Sequence, residues 1–175
     1  MSRMMLWLKN HDQRLLFLVN HKINRVALWA FLNRITHLGG ATATILATIS
    51  LWLFAPQPVS IVGMQAFIAL AISHLFVVVF KKMYPRLRPY LALPETIVCK
   101  NPLKDHSFPS GHTTAIFSVV SPFVINFNWL GFILIPVAMI IGVSRMALGL
   151  HYPSDVAAGC LIGCVTAMCT VAFLG

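Results

Sequence analysis

Acidic residues are the scarcest feature of this 175-residue sequence: Asp12, Glu95, Asp105 and Asp155 stand against thirteen Lys and Arg. So few carboxylates argue against a site built on hard-metal ligands, and no CxxC pair offers a thiolate alternative. Cys160, Cys164 and Cys169 fall inside one apolar run, where they read as small apolar filler, and Cys99 stands alone in a polar loop. Internal repeats and low-complexity tracts are absent, and the opening MSRMMLWLKNHDQR has too short an apolar stretch for a cleavable signal peptide. Charge of either sign is also thin. Only 10% of residues are charged, 58% are apolar and the mean hydropathy is +0.82, which excludes an ordinary soluble globule. A net charge of +9 would suggest nucleic acid in a soluble protein. With apolar runs of this length the bilayer is the expected partner and no nucleic acid is.

Five windows, free of charge except for Arg145 and Asp155 near the ends of the last two, approach the roughly 20 residues that a membrane span needs. They run from about Leu38 to Ala55, Ser60 to Phe80, Gly111 to Phe127, Trp129 to Gly149 and Ser154 to Leu174. Pro56, Pro58, the Asn126–Asn128 stretch and Pro153 mark turns, while Pro122 and Pro136 lie inside spans and predict kinks. Before residue 38, Arg3, Lys9, Asp12, Arg14, Lys22, Arg25 and Arg34 interrupt every apolar run. Residues 1–37 are expected to form amphipathic helices on the membrane surface, with a poorly hydrophobic sixth span as the alternative. The expected fold is an all-α integral membrane protein, a bundle of five to six transmembrane helices, with residues 1–37 as an N-terminal amphipathic membrane-surface segment and residues 38–175 as the transmembrane domain.

With antiparallel spans, the N-terminal segment, the loop after residue 80 and the turn around residues 145–155 emerge at one membrane face, and all the charge lies there. The positive-inside rule would make that face cytoplasmic. An anion site is the sharper account. Lys81, Lys82, Arg86 and Arg88 lie in KKMYPRLRPY, FPSGHTT opens the third span, and SRMALGLHYPSD joins the last two. Arg gives planar two-point contacts to phosphate and Lys a point charge. Lys82, Arg86, Lys100 and Lys104 are read as a polybasic patch for anionic lipid heads. Ser110 and Gly111 open a helix whose free N–H groups can cradle an anion, and His112 sits on its first turn. Asp155 begins the last helix and can reach back to one ring nitrogen of His151, leaving the other free as a nucleophile or base.

These clusters resemble the type-2 phosphatidic acid phosphatase family, whose signatures are KxxxxxxRP, PSGH and SRxxxxxHxxxD. Lys81 to Pro89 fits the first, Pro109 to His112 the second, and Ser144, Arg145, His151 and Asp155 the third. The resemblance implies metal-independent, cofactor-free hydrolysis of a phosphate ester or anhydride through a phosphohistidine. His151 would attack phosphorus, Asp155 would orient it and His112 would protonate the departing oxygen. Lys81, Arg88 and Arg145 would hold phosphoryl oxygens, with hydrogen bonds from Ser110 and the Gly111 amide.

A site at the mouth of a helix bundle suits a lipid with a phosphate head. The resemblance points to undecaprenyl diphosphate first, with phosphatidylglycerol phosphate or phosphatidic acid as alternatives; PSGH replaces the PSDH common among small undecaprenyl diphosphate phosphatases. It also implies a bacterial inner-membrane protein with an extracytoplasmic site, against the charge rule. A non-catalytic lipid-phosphate binding or flipping protein is the rival, and it would not require His112, His151 and Asp155 together. The His-x3-Asp spacing is one residue short of an acyltransferase pair. His74 is expected to pack inside the bundle against a polar neighbour, and Gly159 with Gly163 gives a small-residue face for packing within the monomer. Oligomeric state has no sequence signal.

Overall fold

The computed structural model describes residues 3–23, 25–100 and 102–175, and over them the chain is all-helical. Helices α1 (Arg3–Lys22) and α2 (Val26–Ile35) come first, and a 3-10 turn over Thr36–Gly39 leads into α3 (Ala41–Phe54). The long α4 (Val59–Met83) follows, then the one-turn α5 (Pro89–Ala92), α6 (Gly111–Asn126), α7 (Gly131–Ala147) and α8 (Pro153–Leu174). Each of the five apolar windows is therefore a helix, and α6 and α7 run on through Pro122 and Pro136.

Among the described residues, three helical stretches are long and apolar enough to cross a bilayer: Val59–Met83, Asn128–Ala147 and Pro153–Leu174. With 14 and 16 residues, α3 and α6 reach only about 21 and 24 Å against a hydrocarbon core of about 30 Å. The pair formed by α1 and α2 passes the same test only together, across a 115° bend. Large apolar side chains, including Phe54, Phe132, Leu161 and Phe173, are exposed on the outside of the helices.

The interior is narrow and contains more hydroxyl groups than the hydropathy suggests. Ile116, Phe117 and Val120 of α6 pack on Ala138 and Ile141 of α7, and Phe123 packs on Val62 and Ala66 of α4. Beside them, Ser118 donates to Ser73 at 2.7 Å across the α4–α6 contact. The closest pairing joins α6 to α8, and glycine makes it possible. A Cβ on Gly159 would lie 2.7 Å from the Ser110 carbonyl, and one on Gly163 would lie 2.6 Å from the Thr114 carbonyl. The small-residue face is thus used within the monomer, and it brings the N-terminal ends of α6 and α8 together.

The N-terminal helices pack on α7 and α8. Leu16 is fully buried, and the Asn20 amide donates at 2.8 Å to the carbonyls of Ile97 and Ala147, the latter the last residue of α7. Trp7, Leu8, Leu15, Leu18 and Phe31 remain exposed on these helices.

Candidate active site

The chain must turn sharply between α7 and α8 to present His151. Gly149 has a φ of +69°, a left-handed conformation that costs a side-chain-bearing residue energy, and a Cβ there would strike the Ile97 carbonyl at 2.5 Å. Pro153 then starts α8 at a position where a missing N–H costs nothing, and Asp155 accepts the Tyr152 N–H at 2.8 Å, half of a capping box. His151 is 1% exposed and Asp155 is fully buried.

The partners of His151 fix its tautomer. Nδ1 lies 2.7 Å from the Ser107 carbonyl, which can only accept, so Nδ1 carries the proton. Nε2 lies 3.1 Å from Arg88 Nη1, which can only donate, so Nε2 presents its lone pair. The Asp155 carboxylate stands 3.7 Å from Nδ1, too far for a hydrogen bond, and acts on the ring as a charge. Here the expectation from spacing needs correcting: the carbonyl of Ser107 orients the ring, while Asp155 accepts from the Ser107 hydroxyl and the Tyr152 N–H. Burial first, then the Arg145 and Arg88 charges against the raising effect of Asp155, pulls the imidazole down from 6.5 to about 4.

A cavity of about 590 Å³ opens in front of this ring. Its polar end holds His151, Arg88, Lys81, Asp105, Gly111 and His112; Phe67, Leu70, Val77, Val78 and Ile45 line the rest between α3 and α4. Lys81 ends α4 and pairs with Asp105 at 2.9 Å, also donating to the His106 carbonyl. Arg88 is 1% exposed; it donates to the Asp105 carbonyl (2.8 Å), the Asp105 carboxylate (2.7 Å) and the Leu150 carbonyl (2.9 Å). One carboxylate thus bridges both cations. Burial alone would raise the Asp105 carboxyl, but Lys81 and Arg88 outweigh it and hold the group at about 2.

Other sequence-named residues stand differently. Ser110 is buried at the start of α6, where its hydroxyl accepts from Thr113 at 2.9 Å, and it does not line the cavity. Arg145 is buried behind the site with Nη1 donating to Thr36 at 2.8 Å, and its Nε has no acceptor. Arg86 is no surface cation. Its Nη1 donates at 2.8 Å to Asp155 and at 2.7 Å to Ser154, its Nη2 donates at 2.8 Å to Asp12, and its guanidinium lies 3.8 Å over the Tyr152 ring. Lys82, Lys100 and Lys104 are exposed, in keeping with a surface patch. His74 is exposed and lines the cavity; the interior packing expected for it is wrong because its side of α4 faces the open groove.

Asp12, Asp105, Ser107 and Thr36 carry no sequence signature that marks them as site residues. A signal for two of them was present: in a chain with four acids, each carboxylate needs a reason, and Asp12, Asp105 and Asp155 all touch the cations of this site.

Comparison with known proteins points to one family. A sequence model described as the PAP2 superfamily matches residues 62–175. The Escherichia coli protein YbjG, provisionally named an undecaprenyl-diphosphatase, is 33% identical over 72% of this chain and 65% of its own length. The chain spans about two thirds or less of the length of the curated relatives it matches. The crystal structure of Aquifex aeolicus LpxE superposes with a TM-score of 0.82 at 25% identity, covering 91% of this chain and 94% of that one. A transmembrane PAP2-type phosphatidylglycerolphosphate phosphatase from Bacillus subtilis gives a TM-score of 0.78 at 21% identity, over 95% and 85%.

Proposed function

The chain belongs to the PAP2 superfamily, and from that premise we propose that it is a membrane lipid phosphatase working through a phosphohistidine at His151. The observation that carries the reading is the neutral imidazole with Nε2 unprotonated at the polar end of the cavity. In the reaction, the Nε2 lone pair forms the bond to phosphorus as the bond to the departing lipid oxygen breaks, and His112, protonated once the anionic phosphate is bound beside it, supplies that oxygen's proton. Water then attacks the phosphohistidine, His112 takes its proton, and inorganic phosphate leaves with Nε2 restored. As the phosphate enters, Arg88 exchanges its contact with Nε2 for a phosphoryl oxygen, which frees the lone pair for attack. Lys81 and the Gly111 amide bind from the cavity side, with Ser110 at the same turn. Arg145 brings positive charge from behind, and its unpartnered Nε is a donor that a phosphoryl oxygen would satisfy. Such fixed positive charge is what phosphoryl transfer chiefly needs.

The substrate is a lipid whose phosphate enters the cationic end while its tail follows the apolar wall of α3 and α4 into the bilayer. Undecaprenyl diphosphate is the preferred substrate, supported by the name of the Escherichia coli relative, and phosphatidylglycerol phosphate or phosphatidic acid the alternative. Helices α3, α4, α6, α7 and α8 form the bundle, α1 and α2 lie at its interface, and residues 1–37 and 38–175 divide along that boundary. The site faces the extracytoplasmic side of a bacterial inner membrane. Phosphate release by purified protein in detergent with excess EDTA, compared across the three lipids, tests the reading. Release that survives EDTA and vanishes in His151→Ala supports it; no release from any lipid would leave an anion site used for binding or flipping.

A further inference from the structure

Helix α1 lies outside the matched stretch, yet one of its side chains reaches the carboxylate behind His151. Asp155 is held by three donors: the Ser107 hydroxyl and the Tyr152 N–H on Oδ2, and Arg86 Nη1 at 2.8 Å on Oδ1. Arg86 is not committed to Asp155 alone, because its Nη2 donates at 2.8 Å to Asp12 Oδ2. The Asp12 carboxylate, 10% exposed, also accepts the Ser154 N–H at 2.9 Å on Oδ1 and the Ser154 hydroxyl on Oδ2. It therefore grips the first turn of α8 one residue before Asp155, at the helix end where a negative charge is favoured.

We propose that Asp12 is a positioning residue of the active site: by sharing Arg86 with Asp155 and holding the start of α8, it keeps the Asp155 charge directed at His151. The proposal rests on the reading of His151 as the nucleophile. The charge balance makes it specific. Asp12 and Asp155 carry two negative charges and Arg86 one positive, so the cluster is net negative beside a ring that becomes cationic as Nε2 bonds to phosphorus. Without the Asp12 charge, Arg86 neutralises Asp155 and the cluster offers the ring nothing. A side chain that only docked α1 would lack this effect, since Asn fills the same space as Asp.

The test follows the His151 ring by 15N NMR in the full chain in detergent micelles, with its signal assigned by His151→Gln. Arg88 at the start of α5, Arg145 on α7, His112 on α6, Asp155 on α8 and, through Arg88, Asp105 of the loop all act on that ring. They are common to every variant compared. Asp12→Asn removes a negative charge and is expected to lower the titration midpoint by about half a unit or more. Arg86→Gln removes a positive charge and raises it, and the double variant, with the net charge of the wild type, returns it to near the wild-type value. Glu95→Gln, an equal charge change at an exposed loop position, leaves it unmoved. In turnover, Asp12→Asn is expected to lower kcat about tenfold with KM within about twofold, and Asp12→Glu to recover most of the loss. A midpoint unmoved by Asp12→Asn overturns the proposal, even if kcat falls. Should Asp12→Asn fail to fold, Arg86→Gln and the double variant differ only at Asp12, and equal midpoints in that pair overturn it equally. The titration needs no turnover, so an inactive wild type would refute the phosphatase reading while the midpoints still decide whether the Asp12 charge reaches His151.

Discussion

The stretch from Lys81 to Asp155 and the N-terminal helices meet at one site but use polar residues in opposite ways. The first turns Lys81, Arg88, His112 and His151 toward an open cavity. The second buries Asp12, Asn20 and Thr36 against the back of the same elements: on Arg86 and Ser154, on the end of α7, and on Arg145. In the proposed mechanism one region supplies the reacting groups, and the other holds them in place. The reacting groups also follow a recurring spacing, while the supporting ones are single polar residues on amphipathic helices.

The comparison predicts a graded set of effects. His151→Ala removes the attacking atom and should abolish lipid turnover, a loss of about 1,000-fold or more in kcat, with protein that still elutes as wild type. Asp155→Asn keeps the size and removes the charge, and phosphate release should fall about 100-fold or more. On the supporting side, Thr36→Val leaves Arg145 with another buried donor unpaired, at a stability cost of about 1–3 kcal/mol. Its turnover, measured well below the melting temperature, should change by less than tenfold; a loss as deep as that of Asp155→Asn would erase the distinction between the regions. Asp105→Asn sharpens it in another direction. A phosphoryl group competes with Asp105 for Lys81 and Arg88, so KM and the inhibition constant for inorganic phosphate should both fall several-fold, about 1 kcal/mol of tighter binding. Substitution of Cys99 by Ser or Lys100 by Gln should leave kinetics within about twofold.

A pH dependence of stability follows from His151. Its folded value of about 4 lies below 6.5, so between those values the unfolded chain binds a proton that the folded chain excludes. The group's contribution is complete above about 6.5 and declines as pH falls toward about 4. Thermal melts in detergent should therefore lose more stability between pH 6.5 and 4 in the wild type than in His151→Gln.

The helices were legible because apolar windows bounded by prolines and charges leave a chain few choices, and the five windows became α3, α4, α6, α7 and α8 within a few residues. The face on which the three motifs meet was legible for the same reason. The second set of contacts was not. Arg86 looks like its neighbours Lys82 and Arg88 in sequence, and only the fold shows that it lies between two carboxylates 143 positions apart, Asp12 and Asp155. The Ser107 carbonyl that fixes the imidazole is a backbone group, and no side-chain pattern announces one. His74 misled because a histidine in an apolar run says nothing about which side of the helix faces a groove.

The most direct measurement is to trap the covalent intermediate. Wild-type protein is mixed with lipid phosphate, quenched in alkali within its first turnovers and digested, and the peptides are read by mass spectrometry. An acid-labile, alkali-stable phosphoryl group is expected on His151 and is expected to be absent from His151→Ala. Robust turnover with no phosphorylated His151 at any quench time, or with the phosphoryl group on another residue, would contradict the phosphohistidine mechanism.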